Sequence, residues 1–121
     1  MVGSASTESD IQKKSIALVW KLFNIRGHKL NIDKQNGYPD LIFWVPGGSP
    51  VLIEMKAPGK NPRPLQCYVH KKLKSKGYTV ATCDSTESVV IEMIKFLQKK
   101  KMKPSQRQYL LGLQQHYAPK T

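Results

Sequence analysis

Two short apolar runs joined by a turn constrain the fold of this chain more than any other part of the sequence. Leu41–Val45 and Val51–Met55 are rich in β-branched and aromatic residues, and the segment between them reads PGGSP. Short length, this composition and a Pro/Gly-rich joint together predict a β-hairpin. Because nearly every position in both strands is apolar, we expect helices to cover both faces of the sheet that contains them.

Three charged residues accompany this hairpin, although burying an unpaired charge is costly. Asp40 directly precedes the first strand, Glu54 lies in the second strand, and Lys56 follows it. A regular hairpin would place Val45 opposite Val51. In that register Asp40 lies opposite Lys56, and the alternation of side chains puts Glu54 on the same face. The pattern therefore predicts that all three charges emerge on one side, at the open end of the hairpin.

Two interpretations of these charges remain open at this stage. Two neighbouring carboxylates raise each other's pKa unless a cation lies between them. A hard cation such as Mg²⁺ takes oxygen ligands and keeps several waters, so Asp40 and Glu54 could hold one. Lys56 could then stabilise charge that develops on a phosphodiester. The alternative is an ordinary ion pair between Asp40 and Lys56 at a sheet edge, with Glu54 solvated.

The rest of the chain predicts the order α-β-β-β-α-β-α with one extra C-terminal helix, that is, an α/β fold. The predicted elements are a helix over Glu8–Phe23, a strand over His28–Asp33, the two hairpin strands, a helix over Leu65–Lys76, a strand over Tyr78–Cys83, a helix through Val89–Leu97 and a helix over Ser105–Tyr117. We expect a flexible N-terminus over residues 1–7 and a single domain over residues 8–121. We also expect residues 104–121 to form a C-terminal helical extension of this domain.

Local signals support three of these helices. Thr7–Asp10 and Asp84–Glu87 have the spacing of capping boxes and mark the starts of the first and third helices. In the second helix, Leu65, Val69 and Leu73 recur at helical spacing, so we expect them to form its apolar face.

The charge balance favours an anionic partner. Twenty Lys and Arg residues against eight Asp and Glu residues give a formal net charge of +12. Such a field attracts nucleic acid, with anionic lipid or an acidic protein as the alternatives. No apolar run approaches the roughly 18 residues that span a bilayer, and the N-terminus lacks a secretory pattern. Cys67 and Cys83 show no zinc or redox spacing, so we expect a cytoplasmic protein with reduced thiols.

One stretch of sequence resembles a known nuclease family. GYPDLIFWVPGG, followed by VLIEMKAPGKNPRPLQ, a helix, GYTV and a further helix, is similar to the VRR-NUC family of the PD-(D/E)xK superfamily. The resemblance covers about Glu8–Leu97 and implies a restriction-endonuclease-like core with Mg²⁺- or Mn²⁺-dependent phosphodiesterase activity. Its small stand-alone phage and bacterial members resemble homodimeric Holliday-junction resolvases. The resemblance therefore implies branched DNA as substrate and a homodimer.

Roles carry over to the residues that match the motif. Asp40 and Glu54 are implied as metal ligands, and the Met55 carbonyl is implied as a third oxygen. Lys56 is implied as the catalytic lysine. Gln66 matches the family's glutamine at the start of the helix after the core, close to the metal.

The family also has an acidic residue on its first helix. Glu8 is our choice for it, as a metal ligand, because Ile11 and Ser15 follow at helical spacing on an inward-leaning face. Asp10 is the rival, although its capping role accounts for it. Gln12 stands where some relatives carry a second acidic residue. The sequence therefore does not decide whether the site binds one metal ion or two.

Basic residues flank the predicted site and suit contacts with DNA phosphates, with an ordinary solvated helix face as the alternative. They are Lys60, Arg63, Lys71, Lys72 and Lys74. His28, His70 and His116 show no metal spacing and are interpreted as surface or structural residues. The rival functions are a sequence-specific homing or restriction-like nuclease and a non-catalytic DNA-binding domain that keeps the fold.

Overall fold

The computed structural model describes residues 7–30, 36–47, 49–99 and 104–117. The elements are α1 (Glu8–Phe23), β1 (Gly27–Lys29), β2 (Leu41–Phe43), β3 (Val51–Met55), α2 (Pro64–Ser75), β4 (Thr79–Cys83), α3 (Thr86–Gln98) and α4 (Pro104–Tyr117). This confirms the predicted α/β fold and its element order. Residues 31–33, the end of the strand predicted after α1, and residues 1–6 of the predicted flexible N-terminus lie outside the described part.

The four strands form one sheet in the order β1-β2-β3-β4. Strand β2 pairs antiparallel with both β1 and β3, whereas β4 pairs parallel to β3. Helix α2 supplies the crossover that a parallel pair requires. All five residues of β3 are buried, which confirms that both faces of this strand are covered.

The register of the hairpin differs from the regular one. Phe43, not Val45, lies opposite Val51. The chain leaves the β2–β3 ladder after Phe43, because the Val45 amide donates to the Phe43 carbonyl at 3.1 Å instead of to β3. The connection between β2 and β3 is therefore longer than the PGGSP segment alone.

This shift changes the partners of the charged residues but not their face. Leu41 pairs with Ile53, so one step further along the ladder Asp40 lies opposite Glu54. The predicted pairing of Asp40 with Lys56 was wrong. Because the offset is two residues, and side chains alternate with a period of two, Asp40 and Glu54 remain on the same face.

The main core lies between the sheet and helices α1 and α3. Met55 points into this core, away from Glu54. The buried side chains of this cluster include Val19, Ile25, Leu41, Phe43, Ile53, Met55, Val89 and Met93. Burying this apolar area is the main force that fixes the helices on the sheet.

The starts of α1 and α3 show one confirmed and one wrong capping prediction. At α1, the Thr7 side chain accepts from the Asp10 amide and the Asp10 carboxylate accepts from the Thr7 amide. At α3 the N-cap is Ser85, which accepts from the Ser88 amide, so the predicted Asp84–Glu87 box does not form. The Ser88 hydroxyl accepts from the Ser85 amide in return, so two serines provide both bonds of the box.

Helix α2 turns a different face inward from the one predicted. Its fully buried residues are Gln66 and His70, and Val69 and Leu73 are half-buried beside them. Leu65 is 48% exposed, so its predicted place on a buried apolar face was wrong. The inward positions are polar because α2 covers the sheet face that carries Glu54.

Helix α4 packs against α3 and the end of α1. Leu110 is buried, and the Tyr109 hydroxyl donates to the Leu22 carbonyl at 2.8 Å. The side chains of Gln98 and Gln114 are hydrogen-bonded at 2.7 Å. Within the ranges that the structure describes, no helix has the length and apolarity needed to cross a bilayer.

Candidate active site

The site is built around Glu54, a carboxylate near the end of β3, which is an inner strand of the sheet. Glu54 is 2% exposed, and Asp40 lies beside it with its Oδ2 accepting from the Met55 amide at 2.9 Å. Burial raises the pKa of Glu54 to about 8, and the charge of Asp40 and the hydrogen bond between the two side chains add to this effect. The hairpin therefore brings two carboxyl groups together in a place where both cannot easily be ionised.

Lys56 supplies a positive charge next to this pair. Its Nζ lies 3.8 Å from Glu54 Oε2, and its charge partly opposes the rise in the pKa of Glu54. The Lys56 amide donates to the Cys83 carbonyl at 2.8 Å, so the backbone continues the β3–β4 ladder beyond Met55. This pairing fixes the position from which the lysine side chain extends.

Gln66 links the start of α2 to Glu54. Its Nε2 donates to Glu54 Oε2 at 3.1 Å, and its Oε1 accepts from the Arg63 amide at 2.8 Å. The second bond also pairs the Arg63 amide, which lies at the helix N-terminus where the helix itself provides no acceptor. Because one end of the amide caps the helix, the other end is fixed as a donor toward Glu54.

His70 also faces Glu54, and sequence reasoning missed it. Its Nε2 lies 3.7 Å from Glu54 Oε1, and both atoms are buried without a hydrogen-bond partner among the described residues. Burial lowers the pKa of His70, and nearby Lys74 adds to this effect. The available signal was its spacing of one helical turn from Gln66, which puts both side chains on one face of α2.

The structure distinguishes the two acidic residues at the start of α1. Glu8 Oε1 accepts from the Ala57 amide at 3.1 Å, and Glu8 lies on the wall of the same cleft as Glu54. Asp10 instead closes the capping box with Thr7, whose hydrogen bonds lower the pKa of Asp10. Glu8 is therefore the first-helix carboxylate at the site.

Glu8, Asp40, Glu54, Lys56 and Gln66 line one cleft of about 300 Å³, whereas His70 is buried behind it. The cleft is lined by Glu8, Ser9, Gln12, Lys29, Leu30, Tyr38, Pro39, Asp40, Glu54, Lys56, Arg63 and Gln66. The wall thus combines carboxylates with basic side chains, which suits a phosphate held beside a cation.

The comparison with known families agrees with this geometry. The sequence profile of the VRR-NUC domain matches residues 8–87, a range that includes Glu8, Asp40, Glu54, Lys56 and Gln66. The chain belongs to the VRR-NUC family. The matched range ends at the start of α3, so α4 lies outside it.

Two relatives support this assignment of the VRR-NUC protein. This chain is 32% identical over 80 residues to the protein named "Putative nuclease p44" of Acyrthosiphon pisum secondary endosymbiont phage 1. The matched region covers 66% of this chain and 85% of that protein. A solved structure of a VRR_NUC domain matches this chain with a TM-score of 0.60 and 27% sequence identity. The match covers 70% of this chain and 91% of the chain in that structure. The fold is thus that of a VRR-NUC domain, and the protein is a nuclease.

The oxygen atoms of this VRR-NUC site fit a hard divalent cation. The Glu54 carboxyl is buried, its Oε1 has no hydrogen-bond partner in the described part of the chain, and its pKa is raised. A cation shared with Asp40 would relieve both costs. Among the described residues, however, no three His, Cys, Asp or Glu side chains are grouped closely enough to hold a metal ion. A cation here would rest on two carboxylates, with water completing its shell. Glu8 and the Met55 carbonyl as ligands stay predictions.

The predicted DNA-contacting residues divide into two sets. Arg63 lies on the cleft wall. The other four are exposed outside it, on the loop before α2 and on α2 itself: Lys60, Lys71, Lys72 and Lys74. Their contacts with DNA stay a prediction.

Proposed function

We propose that this VRR-NUC protein is a divalent-metal-dependent endonuclease that hydrolyses phosphodiester bonds in branched DNA, with Mg²⁺ or Mn²⁺ as cofactor. The observation that carries the proposal is the buried Asp40–Glu54 pair, in which Glu54 has a pKa of about 8. A folded domain keeps such a costly arrangement most readily where a cation offsets it. With DNA as its substrate, the protein would act in the cytoplasm of a bacterium or a phage-infected cell.

Asp40 and Glu54 would hold the cation, with the Met55 carbonyl and Glu8 as further oxygen donors. The bound cation would lower the pKa of a water molecule and stabilise charge on phosphate oxygens. Lys56 extends toward the same point, so its ammonium donates to a non-bridging oxygen of the scissile phosphate as charge develops there. Gln66 holds the Glu54 carboxylate in place through its hydrogen bond.

The positive surface would hold the DNA around the cleft. Arg63 and Lys60 contact phosphates near the cut, and the α2 lysines contact phosphates further along the backbone. The net charge of +12 gives the long-range attraction that steers DNA to this surface. These contacts position the substrate without reading its sequence.

A homodimer is part of the proposal. One chain contains the Asp40–Glu54 pair once, whereas paired cuts across a junction need two sites in one assembly. The similarity of small stand-alone VRR-NUC proteins to junction resolvases supports branched DNA as the substrate.

One experiment tests the proposal. The protein is incubated with a four-way junction, a flap and a linear duplex of shared sequence, in Mg²⁺, Mn²⁺ or EDTA. We expect metal-dependent cutting of the branched DNAs, lost in Lys56→Ala and kept in Lys95→Ala. Lys95 is a suitable control because it is exposed and pairs with Glu92 on α3.

The other outcomes separate the rival functions. Binding of junctions without cutting under any of these conditions would indicate a non-catalytic DNA-binding domain. Efficient cutting of linear duplex at one sequence would indicate a homing or restriction-like enzyme. Cutting that persists in EDTA would contradict the metal dependence.

A further inference from the structure

Tyr38 is an exposed aromatic residue at the mouth of the cleft. It lines the cleft together with Asp40 and Glu54, yet 45% of it is exposed to solvent. None of the roles assigned above to the carboxylates, Lys56 and Gln66 uses it. Aromatic rings of this kind carry a large apolar surface, and the sheet and helices leave this one uncovered.

The backbone on both sides of Tyr38 is fixed by packing. Gly37 has φ +76°, and a Cβ there would lie 2.9 Å from the Leu65 carbonyl oxygen and 3.0 Å from Val69 Cγ2. Pro39, on the other side, is fully buried. Tyr38 is therefore presented outward by a backbone that has little freedom to move. A ring on such a support loses little conformational entropy when it contacts a ligand.

The surroundings of Tyr38 indicate which ligand suits it. The same cleft holds the basic side chains of Lys29, Lys56 and Arg63 beside the carboxylates of Glu8, Asp40 and Glu54. Together with the net charge of +12 on the whole chain, these basic side chains favour a molecule that carries negative charge. A nucleotide has both negative charge and a flat apolar face: its phosphate can meet the basic side chains while its base meets the ring. Base–aromatic stacking of this type is common at sites that hold single-stranded nucleic acid.

Continuous duplex cannot use Tyr38 in this way. In a stacked helix both faces of each base are covered by neighbours, and exposing one requires unstacking. A branch point, flap or bulge already supplies such a base at lower cost.

We propose that Tyr38 stacks on an unpaired base next to the scissile phosphate and so sets the preference of the site for DNA with an unstacked nucleotide at the cut. This rests on the proposed nuclease function and names the structural feature of the substrate that the site recognises. Tyr38 acts as a specificity-determining residue, whereas the chemistry stays with Asp40, Glu54 and Lys56.

The test measures binding in EDTA, by fluorescence anisotropy, and single-turnover cutting in Mg²⁺. The DNAs share one sequence and form a linear duplex, a duplex with one unpaired nucleotide, the same duplex with an abasic site at that nucleotide, and a four-way junction. The proteins are wild type, Tyr38→Ala, Tyr38→Phe and Tyr78→Ala. Tyr78 is a matched control because it is 41% exposed and precedes Thr79, which pairs with Val51 at the opposite end of β3 from Glu54.

We expect Tyr38→Ala to lose roughly tenfold to hundredfold in affinity for the bulged and branched DNAs, with linear duplex almost unchanged. Tyr38→Phe and Tyr78→Ala should behave as wild type. Removing the base at the unpaired position should weaken wild type by a similar factor and leave Tyr38→Ala unaffected, because two changes that remove the same contact are not additive.

Three results would overturn the inference: equal binding of bulged DNA by Tyr38→Ala and wild type, additive effects of the abasic site and Tyr38→Ala, or an equal loss for linear duplex. Unchanged thermal unfolding of Tyr38→Ala establishes that the variant is folded. If wild type neither binds nor cuts any of these DNAs, the proposed function itself fails. If wild type does so without dependence on Tyr38, only this inference fails.

Discussion

Glu54→Gln tests the buried carboxyl pair most directly. The amide has nearly the same shape and can still accept from Gln66, but it cannot ionise. In the wild type, the pKa of Glu54 is raised from 4.5 to about 8, first by burial and then by Asp40. The variant therefore removes the cost of the buried charge while leaving the packing of β3 and α2 intact.

The sign and size of the effect follow from proton linkage. Below about pH 4.5 the Glu54 carboxyl is protonated in both the folded and the unfolded state. Glu54→Gln therefore has no electrostatic advantage in stability over wild type at these pH values. Between about pH 4.5 and 8 the folded state holds a proton that the unfolded state has released, so wild-type stability falls as the pH rises. Each pKa unit corresponds to about 1.4 kcal/mol. The free energy of unfolding of Glu54→Gln should therefore exceed that of wild type by an amount that approaches roughly 5 kcal/mol at pH 8 and above.

The measurement is urea unfolding, followed by tryptophan fluorescence, at several pH values between 5 and 8 in EDTA. We expect the free energy of unfolding of Glu54→Gln, relative to wild type, to increase steadily across this range. Glu87→Gln, a change at an exposed carboxylate on α3, should run parallel to wild type. Added Mg²⁺ at pH 8 should stabilise wild type and leave Glu54→Gln almost unchanged, because ligand binding to the folded state raises its stability.

A constant difference between Glu54→Gln and wild type across pH 5 to 8 would refute the reasoning. It would mean that Glu54 ionises in the folded protein as it does in water. Stabilisation of both proteins by Mg²⁺ to the same extent would place the cation somewhere other than the Asp40–Glu54 pair.

Three further predictions concern packing, capping and DNA binding. Gly27→Ala should lower the free energy of unfolding in urea by about 1–3 kcal/mol, because its methyl group would overlap the Phe43 ring. Gly112→Ala, whose methyl group would lie in open space on α4, should raise it by up to about 1 kcal/mol. Equal effects of the two variants would contradict this packing. Ser85→Ala should lower the free energy of unfolding by about 1 kcal/mol through loss of the α3 cap, and no change would show that the cap contributes nothing. Lys72→Ala should weaken DNA binding equally for all sequences. It should also reduce the slope of the logarithm of the affinity against the logarithm of the salt concentration by about 1. An unchanged slope would exclude a contact between Lys72 and a phosphate.

The elements of this fold were predictable because their signals are local. Helical spacing and the Thr7–Asp10 box place α1 over Glu8–Phe23, and the structure confirms both ends. The hairpin was predictable for the same reason, since two apolar runs and a Pro/Gly-rich joint lie within a short segment. The shared face of Asp40 and Glu54 survived a wrong register because an even shift preserves the alternation of side chains.

The face of α2 and the start of α3 were not predictable in the same way. Leu65, Val69 and Leu73 have the spacing of a buried stripe, yet Gln66 and His70 point inward. Spacing shows which residues share a face but not what that face meets. At α3, both Asp84 and Ser85 are good N-caps, and the hydroxyl of Ser88 favours the second by returning a hydrogen bond.

The sequence by itself determined the order of helices and strands, the placement of Asp40 and Glu54 on one face of the hairpin, and the nuclease family. It also proposed Lys56, Gln66 and Glu8 as neighbours of this pair. Only the tertiary structure decided how these groups meet Glu54: Gln66 donates to its Oε2, and His70, which the sequence did not indicate, lies 3.7 Å from its Oε1. The physical reason is the range of the forces involved. Helices and turns depend on neighbours a few residues apart, whereas the burial and pKa of Glu54 depend on segments that meet only when α1 and α2 pack on the sheet.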